Sequence, residues 1–115
     1  MNIEDLQKLC KSFPSVTEDI KWGNDLCFCI GEKMFCVVGL NQSPTSASFK
    51  VTPEEFNELS SKEGFKPAPY VARYKWVLVE NISTLSPKEW EHYISQSYTL
   101  VKNKLTPKIR KSLNL

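Results

Sequence analysis

The chain has 115 residues and a mass of 13.2 kDa, with 41% hydrophobic and 24% charged residues and a net charge of +2. That is room for one domain with its own core and not for two, in an ordinary globular composition. No apolar run approaches the ~20 residues that span a bilayer, and the opening Met-Asn-Ile-Glu-Asp-Leu lacks the basic start and apolar run of a signal peptide, so a cytoplasmic protein with no membrane partner is expected.

Four cysteines stand at 10, 27, 29 and 36. In a reducing compartment they read as free thiols. Charge is unevenly spread. Residues 1–60 hold five Lys/Arg against nine Asp/Glu, a net of −4, whereas residues 61–115 hold ten against four, a net of +6. The second half therefore suits an anionic partner, although the chain is far less basic than a dedicated nucleic-acid binder.

Residues 2–13 place Ile3, Leu6, Leu9, Cys10 and Phe13 on one helical face. Pro14 ends that helix, because the residue before a proline avoids the α region. Residues 15–24 read as a polar connector in which Trp22 is expected to pack and Gly23-Asn24 to turn. Runs 26–30 and 34–38 are strand-like and flank Gly31-Glu32-Lys33, which predicts a hairpin. A two-residue loop, either Gly31-Glu32 or Glu32-Lys33, puts Cys27, Cys29 and Cys36 on one face and Phe28, Ile30, Phe35 and Val37 on the other. The aromatic face is the one expected under the helices.

Residues 39–46 read as a loop of turn formers, and 47–51 as a third strand. Thr52-Pro53-Glu54-Glu55 opens a helix, with Thr52 as N-cap, Pro53 at the first helical position and Glu55 completing the capping box. This helix buries Phe56 and Leu59 and stops before Gly64. Residues 65–69 carry two prolines and suit only an edge strand; 76–80 make a better one. Ser86-Pro87-Lys88-Glu89 repeats the capping box and opens the longest helix, about 87–104, with a stripe of Trp90, Ile94, Ser97 with Tyr98, Val101 and Leu105. Thr106-Pro107 caps a last short helix through Ile109, with Leu113 tucked back. No repeat, low-complexity tract or linker divides the chain, so residues 1–115 make one domain. The order α-βββ-α-ββ-α predicts an α+β two-layer sandwich, an antiparallel five-stranded sheet with helices on one face.

Chemistry-bearing residues gather around the stretch 65–80. Lys50 closes a strand, Lys66, Arg73 and Lys75 flank the prolines with Tyr70 and Tyr74 between them, and Lys33 lies at the hairpin. Cations interleaved with aromatics can hold phosphates while a ring stacks on a base or sugar. The plainer alternative packs Tyr70 and Tyr74 on the sheet, with the cations solvated above. Lys102, Lys104, Lys108, Arg110 and Lys111 follow the last acid, Glu91. They form either a phosphate-facing stripe or a set favoured by helix dipoles, and Lys102 and Lys104 project about 200° apart, so they share no face.

Three thiols on one sheet face would suit zinc or Cu(I). Cys-x-Cys is not the spacing of zinc knuckles, however, and no nearby His adds a ligand, so no metal is expected. His92, the one histidine, lies off the apolar stripe beside Glu89 and Glu91, exposed and without a partner for base catalysis. No nucleophile motif, Gly-rich phosphate loop or carboxylate-plus-His set is present, so neither an enzyme nor a cofactor is expected.

Gly31-Glu32-Lys33-Met34-Phe35, Phe49-Lys50 followed by Thr52-Pro53, and Tyr70 followed by Arg73-Tyr74-Lys75-Trp76-Val77 occur in that order. Ser97-Tyr98, Leu100-Val101 and the Leu105, Arg110, Leu113 ending complete the series. In order and spacing these fragments resemble the MmcQ/YjbR family of small bacterial proteins over nearly the whole length. The resemblance implies an α-β(3)-α-β(2)-α fold similar to secretion chaperones and called CyaY-like. It also implies DNA binding, because paired hairpins in the family's fold suggest a "double wing". Many members carry a basic residue and then a His before the Trp; here the counterparts are Arg73 and Lys75, which leaves no imidazole at that point.

Two expectations follow. One is a DNA-binding protein that grips the phosphate backbone with little sequence reading, through Lys33, Lys50, Lys66, Tyr70, Arg73, Tyr74 and Lys75. The other is a protein- or small-molecule-binding module, or a homodimer, that uses a second apolar sheet face around Cys27, Cys29, Cys36 and Val38.

Overall fold

The computed structural model describes residues 1–41 and 43–115. Four helices are set by their caps. α1 (Ile3–Lys11) starts at Asn2, whose side chain accepts from the Asp5 amide at 2.8 Å while the Asp5 carboxylate accepts from the Asn2 amide. α2 (Pro53–Leu59) and α3 (Pro87–Lys102) carry the expected boxes, Thr52 with Glu55 and Ser86 with Glu89. Thr106 caps α4 (Pro107–Ser112). Each such cap contributes about 1 kcal/mol by satisfying amides that have no partner inside the helix.

The sheet has six strands rather than the five expected: β1 (Val16–Lys21), β2 (Asp25–Ile30), β3 (Lys33–Gly39), β4 (Ser46–Lys50), β5 (Phe65–Pro67) and β6 (Trp76–Val79). All pair antiparallel, in the order β1-β2-β3-β4-β6-β5. The extra strand is β1, which the sequence suggested was a connector. It pairs with β2 from Val16 opposite Ile30 to Lys21 opposite Asp25. As an outermost strand it needs no alternating apolar pattern, and residues 17–20 are all exposed. Its tie to α1 is polar: Glu18 accepts from Gln7 Nε2 at 2.7 Å and Lys11 Nζ at 2.9 Å. The predicted loop 39–46 shrinks to 40–45, since Gly39 closes β3 and Ser46 opens β4; Gln42, within it, lies outside the described residues.

The β2–β3 turn is Gly31-Glu32, with Ile30 opposite Lys33 and φ of +57° and +69° at the two turn residues. These left-handed angles match the twist of a tight hairpin. Gly31 has a second constraint, because a Cβ there would lie 2.9 Å from Leu105 Cδ2.

One irregularity rearranges the faces. Phe28 stands opposite Cys36, but Cys29 stands opposite Met34, which leaves Phe35 as an extra residue in β3. This β-bulge breaks the strict alternation on which the face assignment rested. Cys36 therefore joins Phe28 in the core, where it meets Cys10, and Val37 moves to the face of Cys27. The three thiols do not share a face.

The helices all pack on the face of Leu26, Phe28, Ile30, Phe49, Val77 and Val79, where Trp90, Ile94, Tyr98, Val101 and Leu105 meet them. Two polar ties lock α3 down. Trp90 Nε1 donates to the Ile82 carbonyl at 2.8 Å. The fully buried Ser97 hydroxyl donates to the Phe35 carbonyl at 2.6 Å and accepts the Lys50 amide at 2.9 Å. Ser97 thus supplies the partner for the residue that the bulge removes from regular pairing.

Candidate functional site

The stretch between β5 and β6 is an ordered loop over the end of the sheet. The Ala68 amide donates to the Trp76 carbonyl, closing the loop at its base. A 3₁₀ turn over Ala72–Tyr74 follows, and Lys75 ends it with φ +67° before the chain enters β6. The Lys75 carbonyl accepts the Val51 amide at 2.9 Å, so the loop is anchored to the exit of β4.

Tyr70 is 98% exposed and Tyr74 51% exposed, so neither packs on the sheet. The Arg73 guanidinium lies 4.8 Å from the Tyr74 ring centroid, and Lys75 Nζ lies 5.2 Å from that of Phe56 on α2. Lys50, 9% exposed, donates through Nζ to the Tyr74 carbonyl. The structure thus brings together Lys50, Arg73, Tyr74 and Lys75. Lys33 opens β3 and Lys66 lies on β5 opposite Leu78, on strands apart from this group.

Burial lowers the Lys50 pKa, and the Lys104 and Lys75 ammonium groups push it further in the same direction. Lys104, just beyond α3, is the contribution that linear spacing could not show, since it arrives through tertiary packing. Among the described residues, the contacts between basic and acidic groups are Lys11 with Glu18 and His92 with Glu55, and neither involves this group. Like charges thus lie near a mostly buried ammonium that, among the described residues, forms no ion pair.

On the uncovered face, a groove of about 560 Å³ runs between the β1–β2 turn and the 68–71 segment. Its walls include Trp22 and Tyr70. Trp22, expected to pack, is 70% exposed at a φ of +53°. The turn that Gly23-Asn24 announced is what holds it out. Cys27 and Cys29 lie on this same side, and burial raises both thiol pKa values, that of Cys27 to about 11. They are protonated at neutral pH.

His92 Nε2 is 3.9 Å from Glu55 Oε2, longer than a hydrogen bond, and its side chain is mostly exposed. Glu55, on α2, is the neighbour that linear spacing did not reveal.

The fold is a small α+β sandwich with a cationic cluster at one end of the sheet and an apolar groove on its uncovered face. Residues 11–100 match the family model described as YjbR, and the chain belongs to that family. It is similar to the crystal structure of Deinococcus radiodurans protein DR2400, whose domain is described as DUF419, at 27% identity and TM-score 0.88, covering 99% of this chain and 88% of that one. A protein from Pseudomonas syringae shares the fold at 22% identity and TM-score 0.70, covering 87% of this chain and 98% of that one. Among curated proteins, none matches the chain. Among the described residues, no helix is long and apolar enough to cross a membrane.

Proposed function

We propose that the chain is a non-catalytic binding module that takes DNA through its phosphate backbone at the sheet end formed by Lys50, Arg73, Lys75 and Lys104. The observation that carries this reading is the mostly buried Lys50, bonded to the Tyr74 carbonyl between Arg73 and Lys75 in the chain and, among the described residues, in no ion pair; burial and the Lys104 and Lys75 charges lower its pKa. A phosphate oxygen set among them would relieve the mutual repulsion and accept charge-assisted hydrogen bonds. Tyr74, half exposed beside Arg73, offers a face for a sugar or an unpaired base, whereas Tyr70 stands over the groove and is left out of this site. Lys33 and Lys66, on strands apart from this group, are not part of the proposed grip. Contacts of this kind position a duplex without reading its sequence.

The test is fluorescence anisotropy of a labelled 20-bp duplex at about 50 and 200 mM salt. If three phosphates are neutralised, affinity should fall by roughly 40-fold across that range through loss of counterion release. Arg73→Ala/Lys75→Ala should weaken binding and reduce the log–log salt slope by about two. Absence of binding at the lower salt by folded protein would exclude the reading.

A further inference from the structure

The groove on the uncovered face carries an inference independent of the phosphate reading. Its two exposed aromatic walls come from opposite ends of the strand order: Trp22 from the turn between β1 and β2, Tyr70 from the loop between β5 and β6. Both have left-handed backbones, with φ +53° and +69°. Bulky residues adopt that region at a cost, and such strain gathers where a side chain must be presented to something. Tyr70 gains almost no burial within the chain in return, and Trp22 little.

Between them the groove is lined by Met34, Val37 and Leu78, with Trp76, whose carbonyl accepts the Ala68 amide, and residues 68–71. About 560 Å³ is within the range of small-molecule sites, which are mostly apolar with a few polar groups that fix orientation. Among the described residues that line the groove, Asp25 is the one that carries a charge. Lys21 faces it across the ladder, but among the described residues the two form no ion pair. Aromatic walls with a single carboxylate complement a cation attached to a flat apolar body, since the ring faces and the carboxylate attract the same charge.

We infer that this groove is a binding site for a small aromatic ammonium compound, its ring held by Trp22, Tyr70 and Trp76 and its ammonium group directed to Asp25. The groove's own charge argues against a phosphate there, so the two sites take ligands of opposite sign.

Titration of the whole chain by ¹H–¹⁵N correlation spectroscopy tests this, with tryptamine as probe. Indole-3-acetate serves as the ring-matched anion and butylamine as the ringless cation. The chain has three tryptophans. Trp22 and Trp76 line the groove, whereas Trp90 is buried and bonded to Ile82, so its indole signal reports that the fold is intact. Tryptamine should move the Trp22 and Trp76 signals to saturation and leave Trp90 in place. Both controls should bind at least about 10-fold more weakly. Asp25→Asn should weaken tryptamine by about 5-fold and leave indole-3-acetate no weaker. Tyr70→Ala, at an exposed position with little bearing on folding, should weaken it by about 10-fold. Unmoved Trp22 and Trp76 signals, or equal binding of indole-3-acetate, would overturn the proposal. Groove signals that shift on protein dilution without probe would overturn it too, by assigning the groove to a second copy.

Discussion

The covered and uncovered faces of the sheet share the same strands and differ in what hides their side chains. Under the helices, burial is continuous: Phe28, Phe49, Val77 and Val79 meet Trp90, Ile94 and Tyr98, and Phe49 and Trp90 pack edge to face at 5.6 Å. On the other side the cover is local. Cys27 and Cys29 are buried there, yet Trp22 and Tyr70, which rise at the margins, stay in solvent. Apolar area removed from water is the main source of stability. The covered face should therefore carry nearly all of it, leaving the uncovered face free to be shaped for binding.

The comparison breaks most visibly through the tryptophans. Trp90→Ala should cost about 3–5 kcal/mol in urea denaturation, because it empties a fully buried site. Trp22→Ala should change stability by no more than about 0.5 kcal/mol. Equal losses would mean that the uncovered face is a second core. Next is Ser97→Ala, which removes one hydroxyl but strips two buried backbone groups, the Phe35 carbonyl and the Lys50 amide, of that partner. A loss of about 2–3 kcal/mol is expected. A loss below about 0.5 kcal/mol would show that both groups find other partners.

A pH dependence probes the uncovered face itself. The Cys27 pKa is raised by burial from 9.0 to about 11, so between those values the unfolded chain sheds this proton while the folded chain retains it. Its stabilising contribution is full below pH 9 and disappears as pH rises to about 11. Urea midpoints should fall over that window, and less steeply in Cys27→Ala. An unchanged slope in the variant would place the titration elsewhere.

What was legible in the sequence followed from local rules. The caps at Thr52, Ser86 and Thr106 marked helix starts because they act within four residues, and the α3 stripe followed from helical period alone. β1 was not legible, since an outermost strand of Thr, Glu and Asp has no apolar alternation to read. The bulge at Phe35 was equally hidden, and one extra residue was enough to exchange Cys36 and Val37 between faces. At the candidate site, Arg73, Tyr74 and Lys75 were visible as a run of sequence. Lys104, the groove and the outward Trp22 were not, because they depend on how distant segments meet.

The two outermost strands also bear on how the protein behaves when concentrated. β5 is three residues long and ends in Pro67, which has no amide hydrogen to offer a neighbour, and β1 presents Glu18, Asp19 and Lys21. Short, proline-bearing or charged margins resist the strand-to-strand growth that leads to fibres. The thiols and aromatics of this chain are thus carried on a sheet that is poorly suited to propagate, and preparations should remain clear rather than form ordered aggregates.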